Sequence, residues 1–287
     1  MSLRFLHTSD IHLLDLSGVS PWRYLNKRFT GRVNLALKRG RSHDARLFQR
    51  MMELVPKLRI DRLVLTGDLT NLALEPEFDL VQRTLRAAPV PTTVIPGNHD
   101  TYTRGSVRAG RFESFLSEFM EGERIGRAAY PFLQRHGNLA VIGVSTAIAS
   151  LPLYAVGQVG ADQLARLGKL LQITAAEGLR RVVLIHHPVV DGVSGARHDL
   201  VDRSAFARII AEHGAELVLH GHEHVTIETA LRGPGGVDVP IHGISSGTSV
   251  SAKPGREACF SVYDATADTI RRELYTWNGS EFRARHD

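Results

Sequence analysis

The segment Leu3-Arg4-Phe5-Leu6-His7-Thr8-Ser9-Asp10-Ile11-His12 opens with an apolar run of strand length and stops on a carboxylate and an imidazole two residues apart. The same arrangement recurs along the chain. Residues 61–66 read as a strand ending at Gly67-Asp68, and 92–95 as one ending at Gly97-Asn98-His99-Asp100. A third, 182–185, ends at His186-His187-Pro188, and a fourth, 217–219, stops just before Gly221-His222-Glu223-His224. Segments of helical period lie between them, at 44–58, about 76–87, 161–176 and 203–213. In the first of these, Leu47, Phe48, Met51, Leu54 and Val55 share a face behind the candidate caps Ser42 and Asp44. Strands alternating with helices predict an α/β fold. Its strand ends deliver the chemically loaded residues to one edge, where such sheets commonly place ligands.

After His224 come four β-like segments, 226–231, 237–244, 258–263 and 269–277, separated by turn residues such as Gly233-Pro234-Gly235-Gly236 and Pro254-Gly255. No low-complexity tract, short repeat or linker divides the chain, so residues 1–287 are expected to form a single domain. With 43% hydrophobic and 23% charged residues, disordered and fibrous classes drop out. Cys259, the sole cysteine, excludes an intrachain disulfide framework and fits a reducing compartment. No secretory leader pattern precedes the first motif, because Arg4, His7 and Asp10 interrupt any apolar core. The expected location is therefore cytoplasmic, with peripheral contact to the inner face of a membrane as an option. Residues 139–161 carry no formal charge, yet Gly143, Ser145, Thr146, Ser150, Pro152, Gly157, Gln158 and Gly160 break their apolar character. They read as a buried strand plus loop, not as a transmembrane segment. The formal net charge of +5 favours an anionic ligand.

Six of the 14 histidines fall inside these short patterns. Alternation in an extended segment would point Asp10 and His12 to one side, and likewise His222 and His224. Glycines at 67, 97 and 221 would allow tight or positive-φ turns beside them. Asp, His and an amide oxygen make a mixed hard and borderline donor set, suited to Mn, Fe, Zn, Co or Ni and unlike a thiolate set. Singly, each pattern is ordinary: Asp-x-His can cap a strand end, Gly-Asp can be a turn, and His186-His187 can be core histidines beside a proline. In this order, each at a strand end, they point to a metal centre.

The order Asp-x-His, Gly-Asp, Gly-Asn-His-Asp, His, Gly-His-x-His resembles the calcineurin-like metallophosphoesterase superfamily over about residues 3–224. That resemblance implies a four-layer α/β/β/α sandwich, with two mixed β-sheets face to face, helices outside, and the late β segments completing the second sheet. It implies that Asp10, His12 and His224 bind one metal, that Asn98, His186 and His222 bind another, and that Asp68 bridges them. The family's ligand stands two residues before the proline, which selects His186 over His187. The expected cofactors are two divalent ions, manganese or iron, with zinc, cobalt and nickel also compatible. Two cations about 3.5–4 Å apart can share a water, lower its pKa enough to give a bridging hydroxide, and stabilise the charge of an in-line displacement at phosphorus. His99 would meet the leaving oxygen as general acid or charge stabiliser. Asp100 would accept a hydrogen bond from the other ring nitrogen of His99, its alternative role being a helix or turn cap.

Between Asp15 and Asp44 the chain has no acidic residue and carries Arg23, Lys27, Arg28, Arg32, Lys38, Arg39 and Arg41. On a helix projection Trp22, Leu25, Phe29, Val33 and Leu37 fall on one face, with the basic residues mostly opposite. Gly31 predicts a bent or paired helix. This basic helical insertion, at about 16–43, reads as an anion-attracting cap, as an interfacial helix touching anionic lipid, or as a solvated basic face packed on its own apolar stripe. Arg104, and Arg197 with His198, are loop candidates for phosphate contacts. The expected activity is phosphodiester hydrolysis, closest in character to bacterial cyclic-nucleotide phosphodiesterases, with a phosphate-ester small molecule or nucleotide as substrate. Alternatives are a pyrophosphatase on a nucleotide-lipid of the UDP-diacylglucosamine type, and a DNA-end nuclease whose opening His7-Thr8-Ser9-Asp10-Ile11-His12 is similar. Nucleic acid is the weaker partner, because the basic residues cluster in one insertion. A non-catalytic scaffold would be expected to lack ligand residues, and none is missing.

Overall fold

Strand β1 (Leu3–Thr8) buries both Phe5 and Leu6, successive residues that point to opposite faces, so it needs a sheet covered on two sides. The computed structural model, which describes residues 2–37 and 42–285, provides one. β1 lies parallel to β2 (Arg62–Leu65) and antiparallel to β11 (Cys259–Ala265). With β3 (Thr92–Val94), β12 (Ile270–Trp277) and β13 (Phe282–Ala284) they form a six-stranded sheet ordered β13-β12-β11-β1-β2-β3. The second sheet has seven strands. Its order is β4 (Glu123–Arg124), β5 (Phe132–His136), β6 (Leu139–Gly143), β7 (Arg180–Leu184), β8 (Leu217–His220), β10 (Asp238–Gly243) and β9 (Ile227–Arg232).

The period of two along the second sheet assigns its faces. Leu139, Val141, Val182, Leu184, Leu217 and Leu219 join one core with Leu63, Phe260 and Val262 of the first sheet. The intervening Ala140, Ile142, Val183, Val218 and Ile241 pack with Leu164, Leu167 and Leu171 of α6 (Ala161–Ala176) and with Phe206 and Ile210 of α7 (Arg203–His213). Both faces of β6, β7 and β8 are thus buried, which is why these strands read as continuous apolar runs. α2 (Ala45–Leu54) and α3 (Glu75–Arg86) contribute Phe48, Met51, Phe78 and Val81 to the first core. The outcome is the expected α/β/β/α arrangement of two mixed sheets flanked by helices.

One expectation needs correction. The late β segments do not all complete the second sheet: β9 and β10 do, whereas β11, β12 and β13 extend the first. β2 pairs with only one side of β1, and the C-terminal antiparallel strands satisfy the backbone groups on its other side. β5 and the short helices α4 (Arg104–Arg108) and α5 (Arg111–Leu116) carry too few residues for a periodic signal. The region 139–161 is β6 followed by a loop, and no helix among the described residues is long and apolar enough to cross a membrane.

The insertion forms a 3-10 turn at Pro21–Tyr24 and then α1 (Arg28–Leu37), which runs through Gly31 without a break. Gly31 serves close packing, since a Cβ there would stand 2.5 Å from the Tyr102 hydroxyl. Arg28 is buried and donates to the carbonyls of Leu72 and Ala73, while the apolar stripe faces outward. Trp22 is 77% exposed and Leu37 71%, so this stripe does not pack on the body of the protein. Lys38, Arg39 and Arg41 lie outside the described residues.

Candidate metal centre

The sequence-selected donors lie beyond strand ends, as expected, yet five of them do not sit in extended backbone. Asp10, His12, Asp68, His222 and His224 have φ of 54°, 43°, 53°, 75° and 50°. Left-handed turns, and not alternation along a strand, aim Asp10 with His12 and His222 with His224. Such a conformation costs a non-glycine residue about 1–2 kcal/mol. Neighbouring loops hold it by zipping together: Asp10 N–H donates to Gly67 O at 3.0 Å, His12 N–H to Asp68 O at 3.1 Å, and Gly221 N–H to His186 O at 3.1 Å. Gly97 and Gly221 act through close approach. A Cβ on Gly97 would fall 2.2 Å from Asp68 Oδ1, and one on Gly221 would fall 2.0 Å from Ser9 Oγ. Of the three expected turn glycines, only Gly67 has a positive φ.

The side chains converge in two groups. In the first, Asp10 Oδ1 lies 3.2 Å from His224 Nε2, and His12 Nε2 lies 3.4 Å from His224 Nε2 and 3.9 Å from Asp68 Oδ2. In the second, His186 Nε2 lies 3.4 Å from Asp68 Oδ1, 3.2 Å from Asn98 Oδ1 and 3.3 Å from His222 Nδ1. Donors about 2.1 Å from a shared cation stand roughly 3.0–3.4 Å apart when adjacent, so both groups have the spacing of ligand sets. Asp10 Oδ1 is fully buried and accepts no hydrogen bond from the described residues. Left alone, such an oxygen costs about 1–3 kcal/mol, and a cation removes that cost. The donor chemistry and this orphaned oxygen both fit a divalent metal.

Backbone carbonyls fix the rings. His12 Nδ1 is 3.1 Å from Thr70 O, His186 Nδ1 is 2.7 Å from Thr66 O, and His222 Nε2 is 2.8 Å from His198 O. A carbonyl only accepts, so each of these nitrogens carries the proton and the opposite one presents its lone pair to the cluster. Burial would raise the Asp68 carboxyl, but the imidazoles of His186, His99 and His12 outweigh it and hold Asp68 well below the usual range. Burial, with His187 and His186 beside it, keeps His222 well below the usual imidazole value, the neutral form a ligand needs.

His186, and not His187, stands beside Asp68. His187 places Nδ1 2.6 Å from Thr146 Oγ1 and donates from Nε2 to Ala155 O at 3.0 Å. Burial and the neighbouring His186 push it down to about 3, so it braces a loop as a neutral ring. The expected pairing of Asp100 with His99 is not formed. The Asp100 carboxylate accepts from the backbone N–H groups of Leu69, Thr70 and Gly97, while His99 Nδ1 donates to Asn71 O at 2.6 Å. Those backbone N–H groups would otherwise be buried unpaired, so the turn-cap role prevails.

Asp68, Asn98, His99, His222 and His224 open into a cleft of about 510 Å³. Lys27, Tyr102, Tyr154, Arg197 and His198 complete its walls. Arg197 and His198 are therefore placed at the site, whereas Arg104 is exposed at the start of α4 and lines no part of it. Lys27 donates to Ser150 Oγ at 2.8 Å and Tyr154 O at 3.1 Å, which ties the insertion to the far wall. Burial lowers its ammonium to about 8. A larger hollow of about 860 Å³, beside Arg62, Gln134 and His136, holds none of these donors. Sequence reasoning passes over Asn71, Tyr102 and His43, because none belongs to a spaced pattern.

The family model described as calcineurin-like phosphoesterase matches residues 3–226. No curated protein sequence matches the chain. Among solved structures, a dimetal phosphatase from Danio rerio aligns with a TM-score of 0.61 at 13% identity, covering 98% of each chain. A purple acid phosphatase from yellow lupin (Lupinus luteus) seeds aligns with a TM-score of 0.64 at 12% identity, covering 99% of this chain and 53% of the lupin chain. GAP50, the anchor in the inner membrane complex of Plasmodium, aligns with a TM-score of 0.54 at 12% identity, covering 99% of this chain and 88% of that one. At such identities the likeness is one of fold.

Proposed function

The chain belongs to the calcineurin-like phosphoesterase family and is a hydrolase of phosphoester bonds, and on that premise we propose that it is a two-metal phosphodiesterase acting on small diesters such as cyclic nucleotides. The observation that carries this reading is the division of Asp68, whose Oδ1 belongs to one donor group and Oδ2 to the other. Asp10, His12 and His224 would hold one divalent ion and Asn98, His186 and His222 the second, with Asp68 shared between them. Manganese or iron suits the donor set, as do zinc, cobalt and nickel. When bound, the ions supply Lewis-acid charge and make water acidic enough to attack phosphorus at neutral pH.

The remaining work falls to the chain's own residues. His99 gives its Nδ1–H to Asn71 O and lines the cleft, so Nε2 is the atom that would meet the substrate. In the protonated form it gives that proton to the leaving oxygen as the phosphorus–oxygen bond breaks. Asp100 is a positioning residue: by binding N–H groups of both the 68–70 and 97–100 turns, it keeps Asp68 and Asn98 in register. Arg197 on the cleft wall offers positive charge to phosphate oxygens that do not react.

A second reading has an observation of its own. The outward stripe of Trp22, Leu25, Phe29, Val33 and Leu37 adjoins the cleft through Lys27 and Leu153. It lies in a segment without acidic residues, so it suits an anionic lipid surface. A nucleotide-lipid pyrophosphate of the UDP-diacylglucosamine type, met at the inner face of a membrane, would then be the substrate. A panel of a generic diester, cyclic nucleotides, an oligonucleotide and such a nucleotide-lipid, assayed with manganese, separates the readings. The first expects turnover of cyclic nucleotides without detergent. The second replaces it if only the nucleotide-lipid is cleaved and a Trp22→Ser, Phe29→Ser variant loses co-sedimentation with phosphatidylglycerol vesicles.

A further inference from the structure

His43 stands where the chain returns from the insertion to the sheets. Its backbone bridges to Ser249, and the next residue, Asp44, donates to Thr248 O at 2.8 Å. Its ring meets that of His12 edge-on at 4.6 Å between centroids, and that of His224 at 5.4 Å. Ring nitrogens of His12, His43 and His224 lie within 4.8 Å of one another. The spaced motifs that select the other donors do not include His43.

Hydroxyl chemistry fixes its protonation. His43 Nδ1 lies 3.0 Å from Thr248 Oγ1 and 3.2 Å from Ser246 Oγ. Ser246 Oγ–H donates to Asp10 O at 2.7 Å, and Thr248 Oγ–H donates to Ile11 O at 3.0 Å. Each hydroxyl has one proton and has used it on a carbonyl. Both must therefore accept from His43, so Nδ1 carries the hydrogen and Nε2 carries the lone pair. Carbonyls impose the same device on His12, His186 and His222. Here the two hydroxyls are anchored on the backbone of the Asp10 turn itself.

We propose that His43 is an additional protein ligand, through Nε2, of the cation held by Asp10, His12 and His224. The inference rests on the two-metal reading above. Donors about 2.1 Å from one centre stand about 3.0 Å apart when adjacent and about 4.2 Å when opposite, so the observed spacing closes by a small rotation of side chains. The first site then has three imidazoles with Asp10 and Asp68, and the second has two with Asn98 and Asp68. The nitrogen-rich site favours cobalt, zinc or iron, while the second is the better place for manganese.

The test is metal binding to the purified full chain, read by calorimetric titration with cobalt and by hyperfine-shifted NMR signals of the cobalt-loaded, ¹⁵N-histidine-labelled protein. Wild type is expected to bind two ions and to shift five imidazoles. His43→Gln should keep the fold and weaken one of the two binding steps by about tenfold or more, with one shifted imidazole lost. Four shifted imidazoles in wild type, with both steps unchanged in His43→Gln, overturn the inference and leave the two-metal reading intact. A wild-type protein that binds fewer than two ions overturns both.

Discussion

Asp68→Ala is expected to abolish hydrolysis and metal retention together. Its two carboxylate oxygens face the two donor groups: Oδ2 lies 3.9 Å from His12 Nε2, and Oδ1 lies 3.4 Å from His186 Nε2. Oδ1 also accepts from the backbone N–H of His99 at 2.8 Å, so the substitution frees the loop that presents Asn98 and His99. Losing the shared carboxylate leaves each cation short of an anionic ligand and puts two positive ions close together with less charge between them. The expected fall in kcat/KM is at least about 10⁴-fold, and elemental analysis should find bound metal reduced from two ions per chain to one or none. A variant that retains both ions and loses only rate would mean that Asp68 does not bridge.

His99→Ala is expected to do the converse, keeping both ions and losing rate. Its ring is held from behind by Asn71 O and packs at 5.3 Å against Tyr102, in the wall of the cleft. As general acid it matters in proportion to the basicity of the leaving oxygen. Alkyl diesters should slow by about 10²–10⁴-fold, while a nitrophenyl diester, whose leaving group needs no proton, should change little. Equal losses on both substrates would identify a structural effect, and unchanged kinetics on the alkyl diester would remove His99 from the reaction.

The sandwich was legible because its central strands are buried on both faces. Val182, Val183 and Leu184, or Leu217, Val218 and Leu219, leave no polar position to confuse the period. The donors were legible as types and spacings, since Asp, His and Asn at strand ends have few other reasons to recur. What brings them together was not legible. Left-handed φ at Asp10, His12 and His222 depends on hydrogen bonds from loops remote in sequence, and nothing in Asp-x-His encodes them. The bond expected between Asp100 and His99 fails for a related reason: the N–H groups that claim the carboxylate include those of Leu69 and Thr70, about 30 residues away. The insertion taught the opposite lesson. Amphipathicity located a helical stripe at Trp22, Leu25, Phe29, Val33 and Leu37, but period alone does not say which face turns inward. Arg28, buried against two carbonyls, decided that in favour of the basic side.

The most direct measurement is anomalous diffraction from crystals grown with manganese, recorded on both sides of its absorption edge. The account requires two peaks per chain, one among Asp10, His12 and His224 and the other among Asn98, His186 and His222, with the Asp68 carboxylate between them. A single peak, or ions bound away from these side chains, would contradict it.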